Sequence, residues 1–390
     1  METLHLKPEK HRRILQGHLW AFAGEIAEDI KQFQPGAPVV LCESRGRVLG
    51  RGYVNPHSLI AVRLLTRGDE PWDDSVFKRR FSAAKTYRDE VCQGWEARRE
   101  LYAESDGVPG LIVDRYGKHL VIQSLTAGIE QRLEEVVAAL IEIYEPESIL
   151  AKGGSPFREQ ERLPEEDRVL YGTPLAEIGF NEEGVRFTAH PAEGQKSGFY
   201  LDQHTNRGLI MPFVKDKRAL DLFSYTGAWG FRALAAGARE AVMVDSSAKA
   251  IAWGMEDAAA NGISNRAVFV EADVGEFLTD ADKRGEKWDI VILDPPALIR
   301  SRMSLEQGVK AYRTLNQAAL KVVTSGGYLV SCSCSHLLTR EKHLEVIGEA
   351  ASRQERRVRV VTSGGHPHDH PILPGHPETE YLKCFVLLCE

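Results

Sequence analysis

Four aspartates and one thiol-rich run in the C-terminal half of the chain have the types and spacing that chemistry needs. Asp221 lies in the apolar run ArgAlaLeuAspLeuPhe (218–223), Asp245 ends AlaValMetValAsp (241–245), and Asp273 ends AlaValPheValGluAlaAsp (267–273). A carboxylate at the carboxyl end of a buried strand can accept from both hydroxyls of a ribose diol, the role expected of Asp245 with Ser246 beside it. Asp273 stands where an adenine amine would donate. A helix N-cap explains each aspartate singly; three on successive strand ends look like an adenosine-type site. Phe223, Ser224, Tyr225, Thr226 and Gly227 link the first strand to its helix. They set helix N-terminal amides and a close backbone approach where doubly wound sheets bind nucleotides. Ser224 stands where the first glycine of a dinucleotide fingerprint would be, so this is not G-x-G-x-x-G.

AspProPro (294–296) closes the fourth strand, and SerCysSerCysSerHis (331–336) closes the fifth. Two prolines make a rigid turn that lacks amide donors and holds Asp294 at the rim. The combination resembles class I S-adenosylmethionine-dependent methyltransferases, whose fourth strand ends in an Asp/Asn-Pro-Pro-like turn that holds the amino group of the target base. A buried strand cysteine is usually a small hydrophobe. Two at i and i+2 in a polar run make poor core, which favours a reactive role for one, with Cys334 nearer the loop. Ser335 and His336 give Cys334 a polar setting that favours thiolate. The chemistry has a use for such a thiol. Cytosine C5 is too weak a nucleophile to attack a sulfonium methyl, and thiolate addition at C6 turns it into an enamine-like one. Asp294 would stabilise the adduct through N3 or N4 of the base.

The elements that position these groups alternate as strand and helix from about residue 190, the sign of a doubly wound parallel sheet. Strands are expected at 218–223, 241–245, 267–273, 288–296 and 326–334, with further strands near 357–361 and 382–388. Helices are expected at 227–238, 247–261, 304–323 and 341–354. Ahead of them, GlyGlnLysSerGlyPheTyrLeuAspGlnHisThrAsnArg (194–207) is too polar for core and too aromatic for a plain loop. It reads as a lid over substrate and cofactor, with Gln203 and Arg207 toward the cofactor and Lys196 toward RNA; a hairpin packed on the sheet fits it equally. The middle of the chain reads as a small α+β region: a helix over 75–100, strands around 104–124, a helix at 129–144, and strands near 148–152, 169–178 and 185–189. Short strands punctuated by Gly, Pro and Asn between Leu4 and Arg67 suggest a small barrel.

Composition narrows the class. The 390 residues are 43% hydrophobic and 27% charged, which supports real cores and excludes disorder, collagen or a coiled coil. No apolar run reaches the roughly 20 residues needed to span a bilayer, and MetGluThrLeuHisLeuLysPro has no apolar h-region, so neither a membrane partner nor a secretory signal is expected. Six cysteines without a CxxC pair are too sparse for a disulfide framework and give no metal site. A cytoplasmic enzyme is the default. The net charge of −7 hides an asymmetry, because residues 1–67 carry ten Lys/Arg against six Asp/Glu. A locally basic module can hold a polyanion; Lys10, Arg12, Arg13, Arg45, Arg47 and Arg51 are its candidate phosphate contacts, joined by Arg115 and Lys196 further on.

Read together, GluSerAspGlyValProGlyLeuIleValAspArgTyrGly, GlyGlnLysSerGlyPheTyrLeuAspGln, AspLeuPheSerTyrThrGly, LeuAspProPro, SerCysSer and the terminal TyrLeuLys resemble the ribosomal RNA large-subunit methyltransferase I family, in order and over nearly the whole chain. The resemblance implies a PUA-type RNA-binding barrel (1–72), a central α+β domain of EEHEE type (73–185) and a Rossmann-like class I methyltransferase domain (186–390). It implies S-adenosylmethionine as cofactor, large-subunit ribosomal RNA as partner and 5-methylcytosine as product; a homodimer is allowed for. The family's nucleophilic cysteine falls on Cys334 by its flanking residues, with Cys332 as an extra one. Leu298 stands where a phenylalanine often follows the Asp-Pro-Pro turn, which weakens a base-stacking role there. Two other readings use the same residues: a same-fold enzyme acting on guanine N7, and an RNA-binding protein with a vestigial methyltransferase fold.

Overall fold

The structure, a computed structural model, describes residues 1–390. The punctuated N-terminal runs pair into a five-stranded sheet of β1 (Glu2–His5), β2 (Trp20–Ala21), β3 (Ala37–Cys42), β4 (Val48–Val54) and β5 (Val62–Leu64). Its order is β1-β3-β4-β5-β2, with β1 parallel to β3 and the other pairs antiparallel. Alternation puts Leu4, Val39, Leu41, Val54, Val62 and Leu64 into one core. Tyr53 escapes that core. Its ring lies over Gly128, where a Cβ would come within 2.0 Å, and its hydroxyl donates to the Pro109 carbonyl.

The second sheet contains β6 (Ala97–Tyr102), β7 (Leu111–Tyr116), β8 (His119–Ser124), β9 (Ser148–Ala151) and β10 (Arg168–Gly172), in the order β10-β9-β8-β7-β6. Helices Val76–Val91 and Leu133–Tyr144 share its core through Phe77, Phe81, Val136 and Leu140. The expected helix over 75–100 therefore stops at Val91, and β6 follows. The run ArgArgGlu looks like a solvated helix face, yet Arg98, Arg99 and Glu100 are all buried. Arg98 pairs with Glu100 and Arg99 with Asp114, which makes a charged strand compatible with the interior. A hairpin of β11 (Ile178–Glu182) and β12 (Val185–Ala189) comes next.

The third sheet is the doubly wound one: β13 (Arg218–Leu222), β14 (Glu240–Asp245), β15 (Ala267–Glu271), β16 (Trp288–Leu293), β17 (Val323–Ser333), β18 (Val358–Gly364) and β19 (Lys383–Cys389). Its order is β15-β14-β13-β16-β17-β19-β18. β13 to β17 run parallel, and β19 is antiparallel to both its neighbours. The inner strands β13 and β16 are almost wholly apolar because both faces are covered. The α/β class agrees with the sequence reading, and the expected strands and helices lie within a few residues of the observed ones, but helix Val274–Lys283, between β15 and β16, is an element that the sequence reading lacks.

The chain divides into two compact units. One comprises Met1–Phe180, Ala189–Leu201 and His368–Thr379; the other comprises Asn181–Thr188, Asp202–Pro367 and Glu380–Glu390. Barrel and central sheet thus belong to one unit, and a C-terminal stretch at 368–379 belongs with them. The first part of the expected lid also belongs there. Ser197 is buried and donates to Asp114, and Phe199 packs edge-on against Phe180, so this stretch is core-packed. No helix is long and apolar enough to cross a membrane.

Candidate active site

The loop after β13 is conformationally unusual. Phe223 (φ 59°), Tyr225 (φ 51°) and Gly227 (φ 89°) all adopt left-handed backbone. Glycine does so without strain, whereas each non-glycine residue costs on the order of 1–3 kcal/mol and needs support from its surroundings. Asp245 supplies it: one carboxylate oxygen accepts the Tyr225 N–H at 2.8 Å and the other accepts the Ser247 N–H at 2.9 Å. Both oxygens keep lone pairs for further donors. Gly227 then opens helix Ala228–Ala235, close enough to Met243 and Phe231 that a Cβ would meet them at 3.1 and 3.3 Å.

Three polar atoms around this loop are buried with no hydrogen-bond partner in the protein: Asp221 Oδ1, Ser224 Oγ and Thr226 Oγ1. Such atoms are costly unless a ligand or water meets them. Asp221 is fully buried, and its other oxygen accepts the Gly230 N–H at 3.0 Å. Burial, with the nearby Asp294 and Asp245 adding to it, pushes its carboxyl up to about 8. Orphaned acceptors and hydroxyls beside a glycine-opened helix fit a polar nucleoside-type ligand, so the residues suit the S-adenosyl group. Ser246 is exposed beside Asp245. Asp273 is exposed and caps helix Val274–Lys283 by accepting the Glu276 N–H at 3.0 Å, so at least one of its oxygens has a structural duty.

Asp294 lies just beyond β16. One of its oxygens accepts from Gln203 Nε2 at 2.9 Å and from Trp229 Nε1 at 3.2 Å. Gln203 is in turn held by Asn206, whose amide donates to its Oε1 at 2.7 Å. Trp229 was not anticipated. The available signal was an indole at the second position of the helix after β13, since a buried Trp N–H needs a partner. Arg207 must be withdrawn as a cofactor contact. Its guanidinium is 1% exposed and committed to Glu182 through both Nε and Nη2, so it braces the segment that carries Gln203.

Beyond β17, Cys334 is the one cysteine of six that is not fully buried. Its Sγ lies 3.8 Å from the Pro295 carbonyl, which joins it to the Asp-Pro-Pro turn. Cys332 is buried on β17 opposite Cys384, and burial, then the neighbouring Cys384, holds its thiol well above the usual range. A hydroxyl network fixes the two turns: Tyr312 reaches Ser333 at 3.0 Å and Ser335 at 2.9 Å, and Ser335 Oγ accepts the Ile299 N–H. His336 is exposed, and its Nδ1 donates to the Glu380 carbonyl. Behind this turn Lys383, 3% exposed, donates to the carbonyls of Ser335 and Tyr381 at 2.7 Å each.

The basic residues divide. Lys10, Arg12, Arg45, Arg47 and Lys196 are exposed. Arg13 is tied to Glu25 and to the Trp20 carbonyl, Arg51 to the carbonyls of Gly68 and Glu70, and Arg115 to the buried Glu100. These three are half-buried, and the bonds they make here tie their own unit together. Elsewhere His18, His376 and Glu378 bring ligand-type atoms within 4.8 Å of one another. The Trp20 N–H donates to His18 Nδ1, which leaves the proton on Nε2, 3.2 Å from Glu378. A metal there would need that lone pair, so the cluster is a hydrogen-bonded one that holds the Glu378 carboxyl well below its usual range.

Comparison with known proteins adds the following. Residues 4–67 match a PUA-like domain, and residues 154–371 match the S-adenosylmethionine-dependent methyltransferase family. Ribosomal RNA large subunit methyltransferase I of Tolumonas auensis is 34% identical over 391 residues, covering 99% of this chain and 98% of that protein. The protein of the same name from Pseudoalteromonas atlantica is 33% identical over 388 residues, covering 98% of each. Among solved structures, a protein described as a SAM-dependent methyltransferase from Streptococcus mutans superposes with a TM-score of 0.86 at 20% identity over the full length of both chains, a likeness of fold.

Proposed function

The chain belongs to the ribosomal RNA large subunit methyltransferase I family of S-adenosylmethionine-dependent enzymes, and on that premise we propose that it methylates C5 of a cytosine in large-subunit ribosomal RNA with Cys334 as nucleophile. The observation that carries this reading is the position of Cys334: outside the strand, half-buried, with Sγ against the carbonyl of the turn that presents Asp294. S-adenosylmethionine, when bound, supplies an electrophilic methyl on a sulfonium. The residues of the 223–227 loop, with Asp221, Asp245 and Ser246, would hold it, and Asp273 is proposed at its adenine end.

The Cys334 thiolate forms a bond to C6 of the cytosine, and the C5–C6 electrons move to C5. After C5 has taken the methyl, loss of the C5 proton to a base restores the double bond and breaks the S–C6 bond, which returns the thiolate. Asp294, braced by Gln203 and Trp229, accepts from the N4 amino group and fixes the ring against the thiol. Lys10, Arg12, Arg45 and Arg47, exposed on the turns and short helix between the N-terminal strands, and Lys196 supply phosphate contacts to the RNA.

The test is direct. Cys334→Ala should lose methyl transfer by at least about a thousandfold, as loss of a covalent nucleophile does, while cofactor affinity stays within twofold. Cys332→Ala should keep most activity. RNA carrying 5-fluorocytosine at the target should trap an adduct on Cys334, because fluorine blocks the final elimination. Full turnover by Cys334→Ala would point to a base that needs no thiol, such as guanine N7. An adduct mapped to Cys332 would overturn the assignment.

A further inference from the structure

Lys383 is a cation in a place where cations are rare. Its side chain is 3% exposed, and it lies opposite Ser333 in the β17–β19 ladder, one residue from Cys334. The ammonium donates to the carbonyl of Ser335, immediately after Cys334, and to that of Tyr381. Two of its three protons are thereby used on neutral acceptors. Both partners are backbone carbonyls and neither is a carboxylate, so burial is not offset by a salt bridge. The group whose negative charge most favours the protonated amine is Cys334. By the reciprocity of charge interactions, the protonated amine favours the Cys334 thiolate equally.

Two cations act on this pocket, Lys383 and Arg340; Arg340 donates to the Gly364 carbonyl, whereas Lys383 donates to the turn that carries Cys334. His343, on helix Arg340–Arg353, is held down at about 3 by burial, with Lys383 itself contributing, and stays neutral. Tyr312, on helix Leu305–Val322, is pushed up to about 12 by burial and stays a phenol. His336 is exposed and turned to the Glu380 carbonyl. Of the carboxylates, Glu380 favours the protonated Lys383, and Asp294 raises the buried Cys332 thiol. Burial lowers Lys383 itself to about 8, which leaves it mostly protonated at neutral pH.

We infer that Lys383 is a positioning residue for Cys334: it pins the backbone of the turn behind the thiol and supplies the positive charge against which the thiol ionises. This rests on the reading of Cys334 as nucleophile, and it adds a function for a side chain that touches neither substrate nor cofactor.

The experiment is a pH profile of iodoacetamide alkylation on the full-length protein, read at the Cys334 peptide by mass spectrometry. In the wild-type protein the midpoint should fall below the roughly 8.5 of an ordinary thiol. Lys383→Gln, which keeps N–H donors and removes the charge, should move the midpoint up by about one pH unit. That is about a tenfold loss of alkylation rate at pH 7, since the thiolate is the reacting species. kcat for methyl transfer should fall with it, and KM for RNA should stay. Lys383→Arg should restore the wild-type profile. A wild-type midpoint at or above the ordinary value overturns the inference without any variant, and so does an unshifted profile in a folded Lys383→Gln protein. Failure of the nucleophile reading is told apart by Cys334→Ala: full activity in that variant removes the role of the thiol but leaves the measured coupling to Lys383 intact.

Discussion

Buried charge is treated in two ways in this molecule, and the contrast separates scaffold from site. Around β6 and β7 every buried guanidinium meets a carboxylate: Arg88 with Asp106, Arg98 with Glu100, and Arg99 with Asp114. Those charges are matched, held in fixed geometry and enclosed. At the carboxyl ends of β13 and β14 the pattern reverses. Asp221 is as buried as any of them, yet its hydrogen-bond partner is one backbone N–H and the Arg207 charge acts on it without a salt bridge, while Ser224 and Thr226 carry buried hydroxyls with no hydrogen-bond partner in the protein. Matched burial holds a fold together. Unmatched burial on a strained loop marks the place where something else supplies the partner.

The contrast is broken most severely from the scaffold side. Arg99→Met would leave Asp114, 1% exposed, with only neutral donors, and should cost about 3–5 kcal/mol. The readout is the urea midpoint at pH 7, and an unchanged midpoint would mean that this pair contributes nothing to the central sheet. Cofactor affinity in that variant should be unaltered where it remains folded. From the site side the order inverts. Asp245→Ala removes the acceptor for the Tyr225 and Ser247 N–H groups and, on the reading above, for the ribose diol. Loss of a charge-assisted pair should weaken S-adenosylmethionine binding by about 1.5–3 kcal/mol, roughly ten- to a hundredfold. Calorimetry that finds unchanged affinity would remove Asp245 from the cofactor site and leave it as a brace for the loop.

The same contrast explains what was legible in the sequence. The doubly wound sheet could be read because β13 and β16, buried on both faces, are continuous apolar runs, and because each strand ends at a residue that is polar for a reason. Strand direction put Cys334, at the carboxyl end of its strand, beside the Asp-Pro-Pro turn, and its Sγ lies 3.8 Å from the Pro295 carbonyl. Matched charge was the harder case. ArgArgGlu at 98–100 has the composition of a solvated helix and the surroundings of a core, and only its partners, remote in sequence, decide between them. Arg207 misled in the same way: a cation in a polar segment reads as a ligand contact until Glu182 is seen against it. Trp229 and Lys383 lie inside a helix and at a strand start. Periodicity marks those places as packing, and it does not show which polar atom a side chain reaches.

Asp221 offers the finest test, because its burden depends on pH with a definite sign. Its carboxyl sits at about 8 in the folded chain against an ordinary 3.8, raised chiefly by burial. Between those values the unfolded chain has released the proton and the folded chain has kept it, so raising the pH favours unfolding across that window. Above about pH 8 both states are ionised and the cost stops growing. A carboxamide in place of this carboxyl cannot titrate, so the advantage of Asp221→Asn over the wild-type protein should grow from pH 5 to pH 8 and then level off. The slope is bounded at about 1.4 kcal/mol per pH unit for a single proton. Thermal melts of the two proteins at pH 5, 6, 7, 8 and 9 would show it as a widening gap in Tm that settles to a constant. A gap independent of pH would mean that Asp221 is ionised throughout and that a cation or ordered water meets it, which would make this strand end a matched site like those around β6.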